Sequence, residues 1–233
     1  MTPEINSPFR LSIGFDLGAT FLYALTGALV AIRRQYDVIG LFVLAAVSGV
    51  GGGLIRDVIF IENGPPLAIR DERYLYAVIA GCLAAAFFGH RMDRIQKGFL
   101  LADALGLGAY AVVGVSRGLG AGLPVLTAIT MGVINASGGG LLRDVLVREE
   151  PLLFKPGQLY VLAALLGAGL FTLLVVRFAR PVESSGVVAV AVTFVFRLLA
   201  IKFNWKTGSV TRRFIPPPPP KGQSPSNGHK SKK

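Results

Sequence analysis

The segment Gly51-Gly52-Gly53-Leu54-Ile55-Arg56-Asp57 returns 87 positions later as Gly138-Gly139-Gly140-Leu141-Leu142-Arg143-Asp144, each copy inside a long apolar run. Three consecutive glycines weaken a helix, and an Arg–Asp pair is costly in lipid. A chain that carries both features twice, in register, reads as a duplicated membrane unit built around a central polar site.

The duplication extends well past the glycines. A shift of 87 puts Asp16 on Asp103, Tyr23 on Tyr110 and Gly27 on Gly114. Beyond the glycine runs a shift of 86 puts Pro65 on Pro151, Tyr74 on Tyr160 and Gly81 on Gly167. Agreement at many separate positions is a stronger signal than any single motif. A spanning helix takes about 20 mostly apolar residues. Seven such runs are predicted, over 14–32, 38–61, 73–90, 98–117, 122–147, 158–178 and 184–203. The expected fold is therefore an all-α integral membrane protein with seven transmembrane helices. Residues 14–90 and 98–178 form two three-helix repeats and 184–203 a seventh helix. An N-terminal segment covers 1–13 and a basic, proline-rich, disordered tail 206–233. Three helices per unit is an odd number, so the second unit enters the membrane from the opposite side. Such inverted repeats are typical of secondary transporters and some channels, with the path at the repeat interface.

Composition supports a membrane chain: 52% of residues are hydrophobic and only 16% charged, against about 25% charged in a soluble domain. The net charge of +11 raises the question of nucleic acid. The basic residues lie between and after the apolar runs, without interleaved aromatics on a soluble surface, so no nucleic-acid partner is expected. Fifteen of the 24 Lys and Arg fall near 33–37, 91–97 and 148–155 or from Lys202 onward; six fall on the other side, and Arg56, Arg143 and Arg197 lie within spans. The bias places the C-terminus in the cytoplasm and the N-terminus outside. Trp205 follows the last span as an interfacial anchor, and the prolines at 216–220 start a stiff spacer near anionic lipid. The first 15 residues lack the pattern of a cleaved signal peptide.

Cys82 is the sole cysteine and reads as a packed thiol; His90 and His229 have no ligand-like neighbours, so no metal or cofactor is expected. No serine has a plausible His and Asp partner, and the carboxylates lack an acid–base setting, which argues against an enzyme. Gly49-Val50-Gly51 does not complete a dinucleotide-binding fingerprint, and no strand precedes it.

The candidate pathway residues follow from this layout. Gly51, Gly52, Gly53 and Gly138, Gly139, Gly140 are expected to cut their spans near the middle and free backbone groups to line a watery path. Close helix packing on small residues is the competing reading. Asp16 with Arg56, and Asp103 with Arg143, are candidate ion pairs at opposite mouths; helix capping is the equal alternative. Asp57 and Asp144 either face the path or join the pairing. Ser48 and Asn135 correspond across the repeats, and Ser137, Thr127 and Thr130, with Thr20 and Thr26, add polarity to the same helices. Arg197 is expected to snorkel toward the cytoplasmic face, with a lipid-phosphate contact at a subunit interface as the sharper alternative.

These residues resemble the prokaryotic trimeric intracellular cation (TRIC) channels, whose bacterial relatives are also described as a glycine transporter domain. The resemblance rests on the two Gly-Gly-Gly-x-x-Arg-Asp segments, the three-plus-three arrangement and the seventh helix, and covers about residues 10–205. It implies a homotrimer in a prokaryotic plasma membrane, with one pore per protomer. It implies conduction of K+ and Na+ with weak discrimination, between helices one, two, four and five, kinked at the two glycine triplets. Animal members carry phosphoinositide-binding lysines on the kinked helices; Arg56 and Arg143 stand in the corresponding stretches here, among membrane lipids as partners. Two other functions remain open on the sequence: a secondary carrier of a small neutral amino acid such as glycine, and a scaffold that transports nothing.

Overall fold

The computed structural model describes Phe9 and residues 11–60, 65–88, 92–155 and 159–205. The regular structure among them is helical: α1 (Ile13–Arg33), α2 (Val38–Phe60), α3 (Leu67–Arg70), α4 (Arg73–Phe88), α5 (Met92–Gly120), α6 (Val125–Leu146), α7 (Tyr160–Thr172) and α8 (Val182–Lys202). A single turn of π-helix, Leu173–Arg177, prolongs α7. The expected tail lies outside the described residues. Of the N-terminal segment, Phe9 and Leu11 to Ile13 are described.

Helix ends follow local chemistry. Pro124 and Pro181 precede α6 and α8, where a missing amide hydrogen costs nothing. Gly122, at φ +77°, turns the chain after α5, with Leu123 N donating to Gly118 O at 3.0 Å. Gln35 and Arg148 take left-handed conformations after α1 and α6. In both turns the next residue's amide reaches back five positions, Tyr36 N to Ala31 O and Glu149 N to Asp144 O. Glu149 then bridges the two ends, 2.6 Å from Arg33 Nη2 and 2.8 Å from Arg34 Nη2.

Six helices among the described residues are long and apolar enough to cross a membrane: α1, α2, α5, α6, α7 with its π turn, and α8. Outward-facing Leu162, Leu165, Val187 and Val195 give them an apolar exterior. The third run predicted from sequence is α4, of 16 residues, preceded by the short α3 that sequence reading did not separate. Together with its relatives described below, this makes the chain a multi-pass membrane protein.

The glycine triplets correct the sequence reading. Both α2 and α6 run as continuous helix through Gly51–Gly53 and Gly138–Gly140. Each glycine lowers helix propensity by about 1 kcal/mol, but an apolar medium offers backbone groups no other partner, so the ladder holds. The bare backbones are used for contact instead. A Cβ on Gly52 would overlap the carbonyl oxygen of Asn135, and one on Gly139 would overlap that of Ser48. The same contact recurs with the two halves exchanged, since Ser48 and Asn135 are themselves 87 apart.

A second repeated contact, this time within each repeat, locks neighbouring helices. A Cβ at Gly27 would stand 2.9 Å from Ala45 Cα of α2, and one at Gly114 2.7 Å from Gly132 Cα of α6. α1 and α5 run antiparallel: Asp16 near the start of α1 meets Arg117 near the end of α5, while Leu29 and Arg33 share a cavity with Ile95 and Phe99 at the other end. The correspondence stops at α8. Gly81 of α4 faces the α1 backbone, but Gly167 of α7 faces Thr193 of α8, which also presses Val190 against Gly108 of α5.

Candidate functional site

The polar residues of the spans gather into two clusters joined by a pair of tyrosines. In the first, Arg56 and Asp57 come from the last turns of α2, Asp16 from the start of α1, Tyr74 from the start of α4 and Arg117 from the end of α5. Residues one apart do not share a helix face, yet the long Arg56 side chain folds back so that Nε donates to Asp57 Oδ1 at 2.6 Å. Arg56 Nη1 lies 3.7 Å from Asp16 Oδ2. That oxygen also accepts from Tyr74 Oη at 2.8 Å and faces Arg117 Nη2 at 3.4 Å. Asp57 Oδ2 accepts from Leu67 N at 3.1 Å, pinning the start of α3.

The second cluster repeats this plan. Arg143 Nε donates to Asp144 Oδ1 at 2.9 Å, and Nη1 lies 3.5 Å from Asp103 Oδ1. Tyr160 Oη reaches the same Asp103 oxygen at 3.4 Å. Asp144 Oδ2 accepts from Leu152 N at 3.0 Å. Arg143 Nη1 also donates to Thr26 Oγ1 at 2.8 Å, and its guanidinium lies 4.7 Å from the Phe99 ring centre. The second cation is Arg197, whose Nη2 is 3.8 Å from Asp103 Oδ2 and whose guanidinium sits 4.8 Å from the Tyr160 ring centre.

Each cluster thus holds two carboxylates and two guanidiniums, a neutral set in formal charge. That balance permits burial, because an unpaired charge in this medium costs far more than a paired one. The capping alternative for Asp16 and Asp103 is set aside. Ser12 is the residue at the α1 N-terminus, and Asp103 lies well inside α5. The Arg197 expectation is corrected. Its side chain is fully buried against Asp103 and Tyr160, so it neither snorkels to a membrane face nor presents a contact to lipid. The buried carboxylate holds it inside.

Between the clusters, the Tyr23 and Tyr110 rings stack with centres 5.3 Å apart. Tyr23 Oη donates to the Ala136 carbonyl and lies 2.9 Å from Tyr160 Oη. Tyr110 Oη donates to the Gly49 carbonyl and lies 2.8 Å from Thr20 Oγ1. Gly49 and Ala136 are 87 apart, as are the tyrosines, so each half grips the glycine helix of the other. Asn135 Nδ2 donates to Tyr110 O at 2.7 Å; its Oδ1 is buried without a hydrogen bond. Ser48, Ser137 and Thr130 bond carbonyls of their own helices and stand outside both clusters.

The sequence reading passed over five members of this network: Arg117, Tyr23, Tyr110, Tyr74 and Tyr160. The four tyrosines carried a signal, since they correspond in pairs at 87 and 86 residues within apolar runs. Arg117 carried none; it read as an outer-side cation closing the fourth span.

A family model described as "Glycine transporter" matches residues 13–90 and 100–176, one copy on each repeat. The chain belongs to this glycine transporter family. Relatives include a UPF0126 membrane protein of Deinococcus radiodurans, 37% identical over 198 residues, covering 83% of this chain and 91% of that one. The UPF0126 inner membrane protein YadS of Escherichia coli K12 is 32% identical over 192 residues, covering 82% and 92%. Among solved structures, this chain resembles a TRIC trimeric intracellular cation channel orthologue from Rhodobacter sphaeroides, with TM-score 0.76 and 35% identity over 83% of this chain and 98% of that one. A second TRIC cation channel matches with TM-score 0.72 and 27% identity over 86% and 97%. The TRIC resemblance of the sequence is one of fold as well.

Proposed function

We propose that the protein is a homotrimeric channel for monovalent cations, K+ and Na+, with one path in each protomer. The path runs beside α1, α2, α5 and α6, past the two glycine triplets, with α2 and α6 bending there. The observation that carries this reading is the likeness to a TRIC cation channel orthologue over 83% of the chain. The buried clusters support it, since ionisable residues inside membrane helices mark ion pathways. The exchanged Tyr23–Ala136 and Tyr110–Gly49 bonds and the antiparallel α1 and α5 support two inverted units, 14–90 and 98–178, followed by the helix over 184–203. In this reading α4 also crosses the membrane, as the third of seven spans. The chain sits in a prokaryotic plasma membrane, N-terminus outside and C-terminus in the cytoplasm, among lipids that contact its apolar exterior.

Current across a planar bilayer containing purified protein, under a KCl gradient, is the test. Discrete steps that reverse near the potassium potential are expected. Reversal near the chloride potential overturns the cation reading. The family description favours a second reading, a carrier of a small neutral amino acid such as glycine. Saturable, competed glycine uptake into liposomes without discrete current would select it.

A further inference from the structure

The two clusters have the same composition but differ in where the fourth charge comes from. At Asp103 it is Arg197 of α8, completely buried, with Thr193 and Val190 of the same helix filling the space over Gly167 and Gly108. At Asp16 it is Arg117 in the last turn of α5, whose side chain is 32% exposed. We propose that Arg117 is a positioning residue that sets the access of permeating cations to Asp16, making this end the adjustable mouth of the path and the Asp103 end the fixed one. This rests on the channel reading.

Asp16 Oδ2 is held most closely by a neutral group, Tyr74 Oη at 2.8 Å. Arg117 at 3.4 Å and Arg56 at 3.7 Å both stand beyond the 2.7–2.9 Å of a tight charge-assisted bond. Of these two cations held outside a tight bond, Arg117 is the one with a route to water, its side chain 32% exposed against 1% for Arg56. When its guanidinium turns outward it stays hydrated, and Asp16 keeps Arg56 and Tyr74. The first cluster then changes from neutral to one net negative charge at its solvent side, which concentrates cations there. Arg197 has no such option, because withdrawing it would move a guanidinium through a packed interior. The neighbouring Ser116 ties this turn to the N-terminal segment: its Oγ donates to Phe9 O and accepts from Leu11 N at 3.2 Å. Ser12 N, one step on, donates to Glu183 Oε1 at 2.7 Å at the start of α8. The strap holds the α5 terminus while leaving the Arg117 side chain at the edge.

The test compares full-length wild type with Arg117→Gln, Arg117→Lys and Arg197→Gln in planar bilayers and in nanodiscs. Arg117→Gln is expected to raise single-channel K+ conductance at low salt by about threefold, the weight of one unit charge ~7 Å away in water. The gain should fade as salt screens it, and Arg117→Lys should return the wild-type value. Unchanged low-salt conductance in Arg117→Gln overturns the proposal. Arg197→Gln should lower the melting temperature much more than Arg117→Gln; the opposite order also overturns it. A thiol readout is independent of flux. In a Cys82→Ala background, Asp16→Cys should react faster with a charged water-soluble methanethiosulfonate when Arg117 is changed to Gln, and equal rates overturn the assignment. If wild type carries no current at all, the channel reading fails, while the thiol rates still decide whether Arg117 guards Asp16.

Discussion

Arg143 presents no surface to solvent and satisfies Asp144, Asp103 and Thr26 at once. Arg143→Met leaves two carboxylates in the interior with Arg197 as their remaining cation. Breaking a buried pair from one side costs about 3–5 kcal/mol, so a large fall in melting temperature of the purified protein is expected. Removing Asp103 and Arg143 together should cost less than the two single losses summed, because the stranded charge is gone. Additive losses would show that the two side chains do not act as a pair. The glycines separate by position in the same way. Gly52→Ala drives a methyl into the Asn135 carbonyl and should destabilise. Gly53→Ala meets only the Arg56 Nη2 at 3.6 Å, an ordinary contact, and should be neutral or gain up to about 1 kcal/mol of helix propensity. Equal melting temperatures for the two variants would contradict the crossing described for Gly52.

At the scale of elements, the crossing of α2 and α6 is where sequence and structure part. A triplet of glycines signals both a weak helix and a close approach, and the sequence alone does not rank them. The ranking comes from the partner: each triplet meets the other, so backbone contact replaces the side chains that are missing. The ion pairs were easier to anticipate, because Asp16 and Arg56 repeat as Asp103 and Arg143 at one fixed spacing. Arg197 was hidden because it lies outside the repeat and its carboxylate partner is on another unit. The end of α1 and the turn after α6 are joined by Glu149. Partial burial opposes its charge, but the Arg34 hydrogen bond and the Arg33 charge outweigh that and hold its carboxyl below the ordinary glutamate value. The folded state thus favours the ionised form. Its contribution is complete above the ordinary glutamate range and is lost as pH falls through the lowered titration. Glu149→Gln should lower the melting temperature at neutral pH and match wild type in acid; a difference that persists unchanged in acid would exclude this link.

For the whole molecule, the duplication made the run of apolar helices legible from 14 to 203, and the length rule placed most of their ends within a few residues, although α5 starts at Met92 rather than 98. What it did not convey is the asymmetry. α8 has no counterpart in the first half, and by packing against α5 and α7 it makes one cluster fully enclosed while the other keeps Arg117 at the surface. The exchanged tyrosine bonds tie the halves into one mechanical unit. Tyr110→Phe should therefore lower stability while also loosening Gly49 on the opposite helix, read as faster amide exchange around residues 49–53. Exchange confined to α5 would argue against the cross-grip.

The continuity of α2 and α6 through their glycines has a further consequence. A helix that keeps its ladder spends its carbonyl oxygens on its own amides, so it offers no ring of bare oxygens to replace the water around an ion. In the channel proposed above, an ion passing beside such helices would keep most of its hydration shell. Potassium and sodium differ chiefly in the cost of losing that shell, so the proposed channel is expected to sort charge and to leave the two metals nearly alike.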